Sequence, residues 1–175
     1  NIESEFINGL RVTDKKTMEV VEKALVDFNA EIVEKLSKKI CKAEGLNVST
    51  NNTIIVEQEN KNLGFVGRPK KIFNEKIQVV INKHAIPVLS PMGKDDDSQK
   101  YNINADTAAA AVAKSLKSRR LLLMTDVEGV YDENKKLINE INPNEAKKLI
   151  DKKIVQGGMI PKLLNSIDAI ENGVR

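Results

Sequence analysis

The sequence has little of the chemistry that metal and thiol sites need. It contains one cysteine, one histidine, no tryptophan, four phenylalanines and two tyrosines in 175 residues. Cys41 alone cannot form an intramolecular disulfide, which is typical of a reducing compartment, and we expect a cytoplasmic location. One histidine and one cysteine argue against transition-metal sites and against thiol or serine triads. We interpret His84, next to a predicted helix end, as a surface residue.

Charge and hydropathy narrow the class of partner. Lysine and arginine number 28 against 25 acidic residues, a formal charge of +3 that is scattered along the chain. With no basic stripe and few aromatic residues, nucleic-acid binding is not expected, whereas small anionic substrates fit. No apolar run is long enough to cross a membrane, so no membrane partner is expected. Because neither G-x-x-x-x-G-K-[ST] nor G-x-G-x-x-G occurs, P-loop and Rossmann interpretations fail.

The first half of the chain predicts a long helix followed by short strands. The helix begins after Thr13 or Asp14 as the N-cap, carries apolar residues at spacings of three and four, and stops at Gly45. Further segments follow the patterns of strands, a helix and a polar loop. These are strands at 53–59, 63–67, 70–73 and 85–90, a helix at 74–83 and a loop at 91–100. Gly67-Arg68-Pro69 is predicted to break the chain between the second and third of these strands.

The second half predicts alternating helices and strands. An alanine-rich helix follows Asn104, and the apolar run at 120–126 is typical of a strand covered on both faces. A hairpin at 129–138 turns at Glu133-Asn134, one helix starts at Asn142-Pro143, and a last helix runs from QGGMIPK to Gly173. Helices alternating with strands predict an α/β fold with a mainly parallel central sheet. We place a domain boundary near Ser118.

Three polar residues precede the alanine helix in YNINAD. Asn104 is spaced as an N-cap and Asp106 as a carboxylate in the first turn, favoured by the helix dipole. Asn102 is not explained by this local role. In an open α/β sheet such a loop lies at the carboxyl edge, where ligands bind. Spacing alone fits both the capping and the ligand-binding interpretation.

Three other segments offer groups for anions. Thr125 and Asp126 follow the predicted buried strand, although a simple turn explains them equally well. Gly157 and Gly158 open a helix with Lys162 in its first turn, which together form a candidate phosphate cradle. Arg11, beside Asn8 and Gly9, could grip a carboxylate bidentately, but a solvated surface arginine is the simpler interpretation of this motif.

Six motifs in this order resemble the acetylglutamate kinases of the amino-acid-kinase family. The motifs are FINGLRVTDKKTMEVVE, LGFVG, IPVLSPMG, YNINADTAAAAVA, LLLMTDVEGVYD and QGGMIPK. The resemblance covers essentially the whole chain. It implies a three-layer αβα sandwich and phosphoryl transfer from ATP, with Mg²⁺, to the side-chain carboxylate of N-acetyl-L-glutamate, the second step of arginine biosynthesis. It also implies an amino-acid-substrate lobe at 1–118 and a nucleotide-binding lobe at 119–175.

The resemblance assigns roles to nine residues. For the amino-acid substrate, Arg11 and Asn102 would bind acetylglutamate and Asn104 would line the same pocket. For catalysis, Lys162 would stabilise the transferring phosphoryl group and Asp106 would orient catalytic lysines. Around the nucleotide would lie Thr125, Asp126, Gly158 and Met159. The hairpin at 63–73 would be a lid, and the long helix would form the dimer contact of a homo-oligomer, a dimer or a hexamer of dimers.

The resemblance also predicts missing parts. The family has an N-terminal strand bearing a second catalytic lysine, glycine-rich phosphate loops, and further C-terminal strands, none of which this sequence contains. The text begins at Asn1 rather than Met, and we expect a fragment that is inactive alone. Two alternatives stay open: another kinase of the same family, for aspartate, glutamate, uridylate or carbamate, or a non-catalytic ligand-binding module.

Overall fold

A computed structural model describes residues 5–7, 10–39 and 41–174, so Asn8 and Gly9 of the arginine motif lie outside the described residues. The chain divides into two compact units, Asn1–Ala108 and Ala109–Arg175. The assignment of a substrate lobe to 1–118 and a nucleotide lobe to 119–175 stays a prediction.

The first unit combines small sheets with two helices. Its elements are β1 (Phe6–Ile7), β2 (Leu10–Arg11), α1 (Lys15–Lys39), β3 (Ala43–Leu46), β4 (Ile54–Gln58), a 3₁₀ helix (Lys61–Leu63), β5 (Gly67–Ile72), α2 (Asn74–Asn82), β6 (Ile86–Leu89), β7 (Met92–Lys94) and β8 (Lys100–Asn102). The strands pair as β1-β2, as β3-β6 and as β5-β4-β7-β8. Pairing is parallel in β3-β6 and β4-β7 and antiparallel in the other three pairs. α3 (Ala105–Ser115) begins in this unit and ends in the second.

The long helix is confirmed, but its predicted stop is wrong. Asp14 caps α1, since its carboxylate accepts a hydrogen bond of 2.7 Å from the backbone N–H of Thr17, which also lowers the pKa of Asp14. Gly45 does not end the helix but lies inside β3, where an added Cβ would stand 2.4 Å from Oδ1 of Asn29. The buried Asn29 amide donates to the carbonyl of Val88, 2.8 Å away. The glycine therefore admits close packing of α1 on β3.

The strands predicted at 63–67 and 70–73 are replaced by one strand, β5. It pairs with β4 at the edge of the four-stranded sheet. Pro69, which was predicted to break the chain between two strands, lies within β5, where the register with β4 shifts beside Val56. An edge strand and an irregular register both tolerate a residue that lacks an N–H donor.

The prediction of a polar loop over 91–100 is also wrong at its ends, because β7 and the start of β8 lie there. The turn between them is short. The carboxylate of Asp95 accepts hydrogen bonds from the backbone N–H groups of Asp97 and Gln99, at 3.0 Å and 2.8 Å. The acidic residues that suggested a loop therefore build the turn of a hairpin.

The second unit is helical where its structure is regular. α4 (Pro143–Asp151) begins with the predicted signal, since Asn142 and Glu145 form a reciprocal capping box. α5 (Met159–Glu171) follows the glycine pair. The predicted hairpin forms one antiparallel bridge between Tyr131 and Leu137. Two apolar clusters hold the unit together: Ala110, Ala113, Ala169 and Val174, and Ala146, Val155, Leu163 and Ile167.

The buried strand predicted at 120–126 is not formed. Leu122 is 81% exposed and Met124 is 87% exposed, and no strand of residues 109–174 pairs with this segment. A continuous apolar run becomes a buried strand only where neighbouring strands satisfy its backbone and cover both faces. The described part of the second unit supplies no such neighbours.

Candidate functional site

Arg11 lies in β2 and is half-buried. Its guanidinium carbon lies over the ring of Phe6, 4.7 Å from the ring centroid. Phe6 and Arg11 are cross-strand partners in the β1-β2 pair. Two residues later the hydroxyl of the buried Thr13 donates to the Arg11 carbonyl at 3.1 Å, which fixes the backbone as it leaves β2.

Phe65 joins the arginine segment to the asparagine segment. Its backbone N–H donates to the carbonyl of Thr13 at 2.7 Å, and its carbonyl accepts from the N–H of Asn102 at 2.9 Å. Gly64 allows this approach, because it has φ +68° and an added Cβ would stand 2.3 Å from the Thr13 carbonyl oxygen. The structure thus attaches the Arg11 segment and Asn102 to one stretch of chain. Sequence reasoning missed this role, although the glycine of LGFVG was its signal.

The YNINAD segment alternates between buried and half-exposed residues. Tyr101 and Ile103 point into the apolar core, whereas Asn102 and Asn104 are half-buried. Asn104 is confirmed as the N-cap of α3, because its side-chain oxygen accepts from the backbone N–H of Thr107 at 3.1 Å. Asp106 is half-buried in the first turn of α3, where the helix N-terminus favours a carboxylate. Asn102 ends β8, two residues before the N-cap of α3, so the capping role does not account for its amide.

The second unit gathers the remaining candidates around the start of α5. Gly157 has φ +57°, and a methyl group at Gly157 or Gly158 would meet no atom within 4 Å. The loop is therefore open to an approaching ligand at the N-terminus of a 13-residue helix. Lys162 lies in the first turn of α5, and its ammonium nitrogen stands 3.5 Å from the carbonyl of Met124.

This contact brings the Thr125 and Asp126 segment beside α5. Both residues are exposed, and the threonine hydroxyl donates to the aspartate at 3.3 Å. The structure thus places Thr125, Asp126, Gly158, Met159 and Lys162 in one unit, and places Arg11, Asn102, Asn104 and Asp106 in the other.

A cavity of about 200 Å³ lies next to the glycine pair. Its lining is mostly apolar and consists of Val127, Gly129, Val130, Tyr131, Ile154, Val155, Gln156 and Met159. The hydroxyl of Tyr131 donates to Glu128 at 3.2 Å, and partial burial together with this hydrogen bond raises the pKa of Tyr131. Of the lining residues only Met159 was expected at a site. The apolar residues shortly after Asp126 were the signal for Val127, Val130 and Tyr131.

No group of three or more His, Cys, Asp or Glu side chains is placed to hold a metal ion within residues 5–7, 10–39 and 41–174. Over the same residues, no helix is long and apolar enough to span a membrane.

Comparisons with known proteins agree over the whole chain. The amino acid kinase family matches residues 1–175. The acetylglutamate kinase of Pelagibacter ubique (strain HTCC1062) is 53% identical over 175 residues, which are 100% of this chain and 61% of that protein. The crystal structure of smu.665 from Streptococcus mutans UA159 has a TM-score of 0.93 at 32% identity, and the match covers 99% of this chain and 71% of that one.

One more distant structure shows the fold alone. It is an N-acetylglutamate synthase from Neisseria gonorrhoeae in complex with coenzyme A and N-acetyl-glutamate. Its TM-score is 0.87 at 18% identity, over 99% of this chain and 40% of that one. The α/β sandwich expected from the sequence is confirmed by these neighbours, and the chain spans about 61% of the length of the curated relative.

Proposed function

We propose, since this chain belongs to the amino acid kinase family, that the complete protein is an acetylglutamate kinase. It would transfer the γ-phosphoryl group of ATP to the side-chain carboxylate of N-acetyl-L-glutamate, in arginine biosynthesis. The observation that carries the proposal is the 53% identity to an acetylglutamate kinase across the entire chain. The geometry of the first unit supports the choice of an acidic substrate.

In the first unit, Arg11 and Asn102 bind acetylglutamate. A guanidinium matches a carboxylate with two parallel hydrogen bonds, and an amide can donate and accept beside it. The attachment of both segments to Phe65 fixes the spacing of these groups before substrate arrives, which lowers the ordering cost of binding. Asn104 holds the end of α3 and lines the same pocket. The acceptor carboxylate is already ionised at neutral pH, so no general base is required.

In the second unit, Lys162 and the start of α5 bind the phosphates of ATP. The open glycine loop lets a phosphate reach backbone N–H groups, and the helix dipole and the lysine charge act in the same direction. During transfer, charge spreads over the equatorial phosphoryl oxygens, and Lys162 stabilises that charge. Asp106 cannot bind phosphate itself, since like charges repel. We assign to Asp106 the role of holding catalytic lysines in the correct orientation.

The nucleotide lies against Thr125, Asp126, Gly158 and Met159. The adjacent cavity, mostly apolar, supplies a surface for the base, while the threonine and aspartate offer polar groups for the sugar. Among the described residues, the charge of Lys162 and the N-terminus of α5 suit the anionic phosphates of ATP. When bound, Mg²⁺ neutralises phosphate charge. Because the described chain presents no acidic cluster for it, we expect the ion to enter with the nucleotide.

The proposal includes a homo-oligomer in the cytoplasm. Val20 and Phe28 are more than half exposed on α1, and such apolar residues on a long helix support its use as a contact between copies. Mass measurement of the complete protein in solution tests this part of the proposal, and a monomer at micromolar concentration contradicts it.

A coupled assay of ADP release tests the reaction with the complete gene product. We expect turnover with acetylglutamate and ATP, and much slower turnover with glutamate, aspartate or carbamate at equal concentration. A preference for one of those substrates would assign another kinase of the family. Binding of acetylglutamate without any turnover would support the non-catalytic module. The 175-residue chain alone is expected to be inactive.

A further inference from the structure

Phe6 stands out among the exposed apolar residues of the first unit because its ring has a charged partner. The residue is 56% exposed, yet the guanidinium carbon of Arg11 lies 4.7 Å from the ring centroid. The antiparallel register places the two residues directly opposite each other, so the contact follows from the pairing of β1 with β2. An exposed phenylalanine of this kind contributes little to a core.

Stacking and carboxylate binding use different parts of a guanidinium. A cation–π contact engages the face of the planar group, whereas a bidentate hydrogen bond uses the N–H groups at its edge. A ring below the plane therefore restrains the tilt of the guanidinium without competing for the carboxylate. It also removes rotamer freedom that substrate binding would otherwise have to remove.

We propose that Phe6 is a positioning residue for Arg11 and thereby sets the affinity for the acidic substrate. The inference rests on the proposed function, because it assumes that Arg11 binds acetylglutamate. The chain offers an internal comparison: Phe28 of α1 is 57% exposed, much like Phe6, and is not among the residues assigned to the substrate.

The test measures acetylglutamate affinity of the complete gene product by titration calorimetry, with ATP affinity and the melting temperature as controls. Phe6→Leu keeps an apolar side chain but removes the aromatic face, and we expect acetylglutamate affinity to fall about two- to five-fold. Phe6→Tyr retains the face and should restore wild-type affinity. ATP affinity should stay unchanged in both variants. Phe28→Leu, the matched control at an equally exposed ring, should leave acetylglutamate affinity unchanged.

A second variant pair shows whether Phe6 acts through Arg11. In an Arg11→Ala background, Phe6→Leu should have no further effect on acetylglutamate affinity. The inference is overturned if Phe6→Leu binds as tightly as wild type, if Phe6→Tyr is as weak as Phe6→Leu, or if the loss persists in the Arg11→Ala background. Wild-type protein that binds no acetylglutamate would instead overturn the proposed function, and this inference with it.

An NMR measurement tests the contact itself without any ligand. The ring current of Phe6 should shift the side-chain proton resonances of Arg11 in the wild-type protein. That shift should disappear in Phe6→Leu and remain in Phe6→Tyr. Arg11 resonances that are identical in wild type and Phe6→Leu would overturn the proposed contact in solution.

Discussion

The two units hold their candidate site residues in different ways. In the first unit, Arg11 and Asn102 are half-buried, and the Phe65 backbone hydrogen-bonds both to Thr13, two residues after Arg11, at 2.7 Å and to Asn102 at 2.9 Å. In the second unit, Thr125, Asp126 and the glycine pair are exposed, and a methyl group at either glycine would meet no atom. The candidate residues of the first unit are held by backbone hydrogen bonds between segments, and those of the second lie on an open loop and at a helix start.

This difference matches the ligands proposed for the two units. A small acidic substrate must be distinguished from close analogues, which requires polar groups held at fixed spacing. A phosphate is recognised by charge and by backbone N–H groups, which an accessible loop can offer. The contrast predicts that substitutions in the first unit affect substrate affinity and stability together, while those in the second affect catalysis and nucleotide binding.

The largest effect is expected at Lys162. In the complete enzyme, Lys162→Ala should lower kcat about 10²–10³-fold, because the lost interaction strengthens as charge develops on the transferring phosphoryl group. The acetylglutamate KM should change little. Lys147→Ala is the matched control, since Lys147 forms an exposed ion pair with Glu171 in the same unit and should retain normal kcat. Equal kcat values for wild type and Lys162→Ala would remove this lysine from the mechanism.

Two glycine substitutions compare the units directly. Gly64→Ala should lower the free energy of unfolding by about 2–3 kcal/mol, because alanine is strained at φ +68° and its methyl group collides with the Thr13 carbonyl. Gly158→Ala, at φ −65° in open space, should change stability by less than about 1 kcal/mol. The second variant should nevertheless bind ATP more weakly, since a methyl group obstructs phosphate approach. Chemical denaturation and ATP titration measure both effects, and equal stability losses would contradict the contrast.

The sequence predicted helix caps, which depend on nearby residues, better than contacts between distant segments. The capping box at Asn142 and the N-cap at Asn104 were predictable because each depends on residues three positions apart. The strand predicted at 120–126 failed because a strand depends on neighbours that the pattern does not contain. The prediction that the long helix stops at Gly45 was wrong for the same reason, since the role of Gly45 is set by its contact with Asn29, which is distant in sequence. The candidate site residues were identified by motif, but the connection through Phe65 joins residues far apart in sequence, which no motif reveals.

A smaller effect is expected at Arg11. Arg11→Ala should raise the acetylglutamate KM about 10- to 100-fold, because a charged hydrogen bond is worth roughly 1.5–3 kcal/mol. Arg11→Lys should recover only part of the loss, since an ammonium group cannot form the planar pair of bonds. Steady-state kinetics should show an unchanged KM for ATP. An unchanged acetylglutamate KM in Arg11→Ala would show that the first unit does not use this residue for the substrate.

The smallest effect concerns two ion pairs, one in each unit. Glu22 of α1 binds Lys100 of β8, two residues before Asn102, and accepts a hydrogen bond of 2.7 Å from Ser49. Asp168 of α5 binds Lys114 of α3 in the second unit. The Glu22 side chain is 25% exposed and that of Asp168 is 50% exposed. The more buried pair should therefore stabilise its unit more, although each contributes only about 0.2–1 kcal/mol.

The pH dependence of stability tests the Glu22 pair. Burial alone would raise the pKa of Glu22, but hydrogen bonds from Lys100 and Ser49 outweigh it and leave the pKa below its ordinary value of 4.5. A lowered pKa means that the stabilisation is complete above pH 4.5 and is lost as the pH falls through the folded-state value. Glu22→Gln should therefore unfold more readily than wild type at pH 7, and the gap should close in acid. Asp168→Asn should show a smaller gap at pH 7. If Glu22→Gln has the same free energy of unfolding as wild type in chemical denaturation at pH 7, the ion pair between α1 and β8 does not stabilise the segment before Asn102.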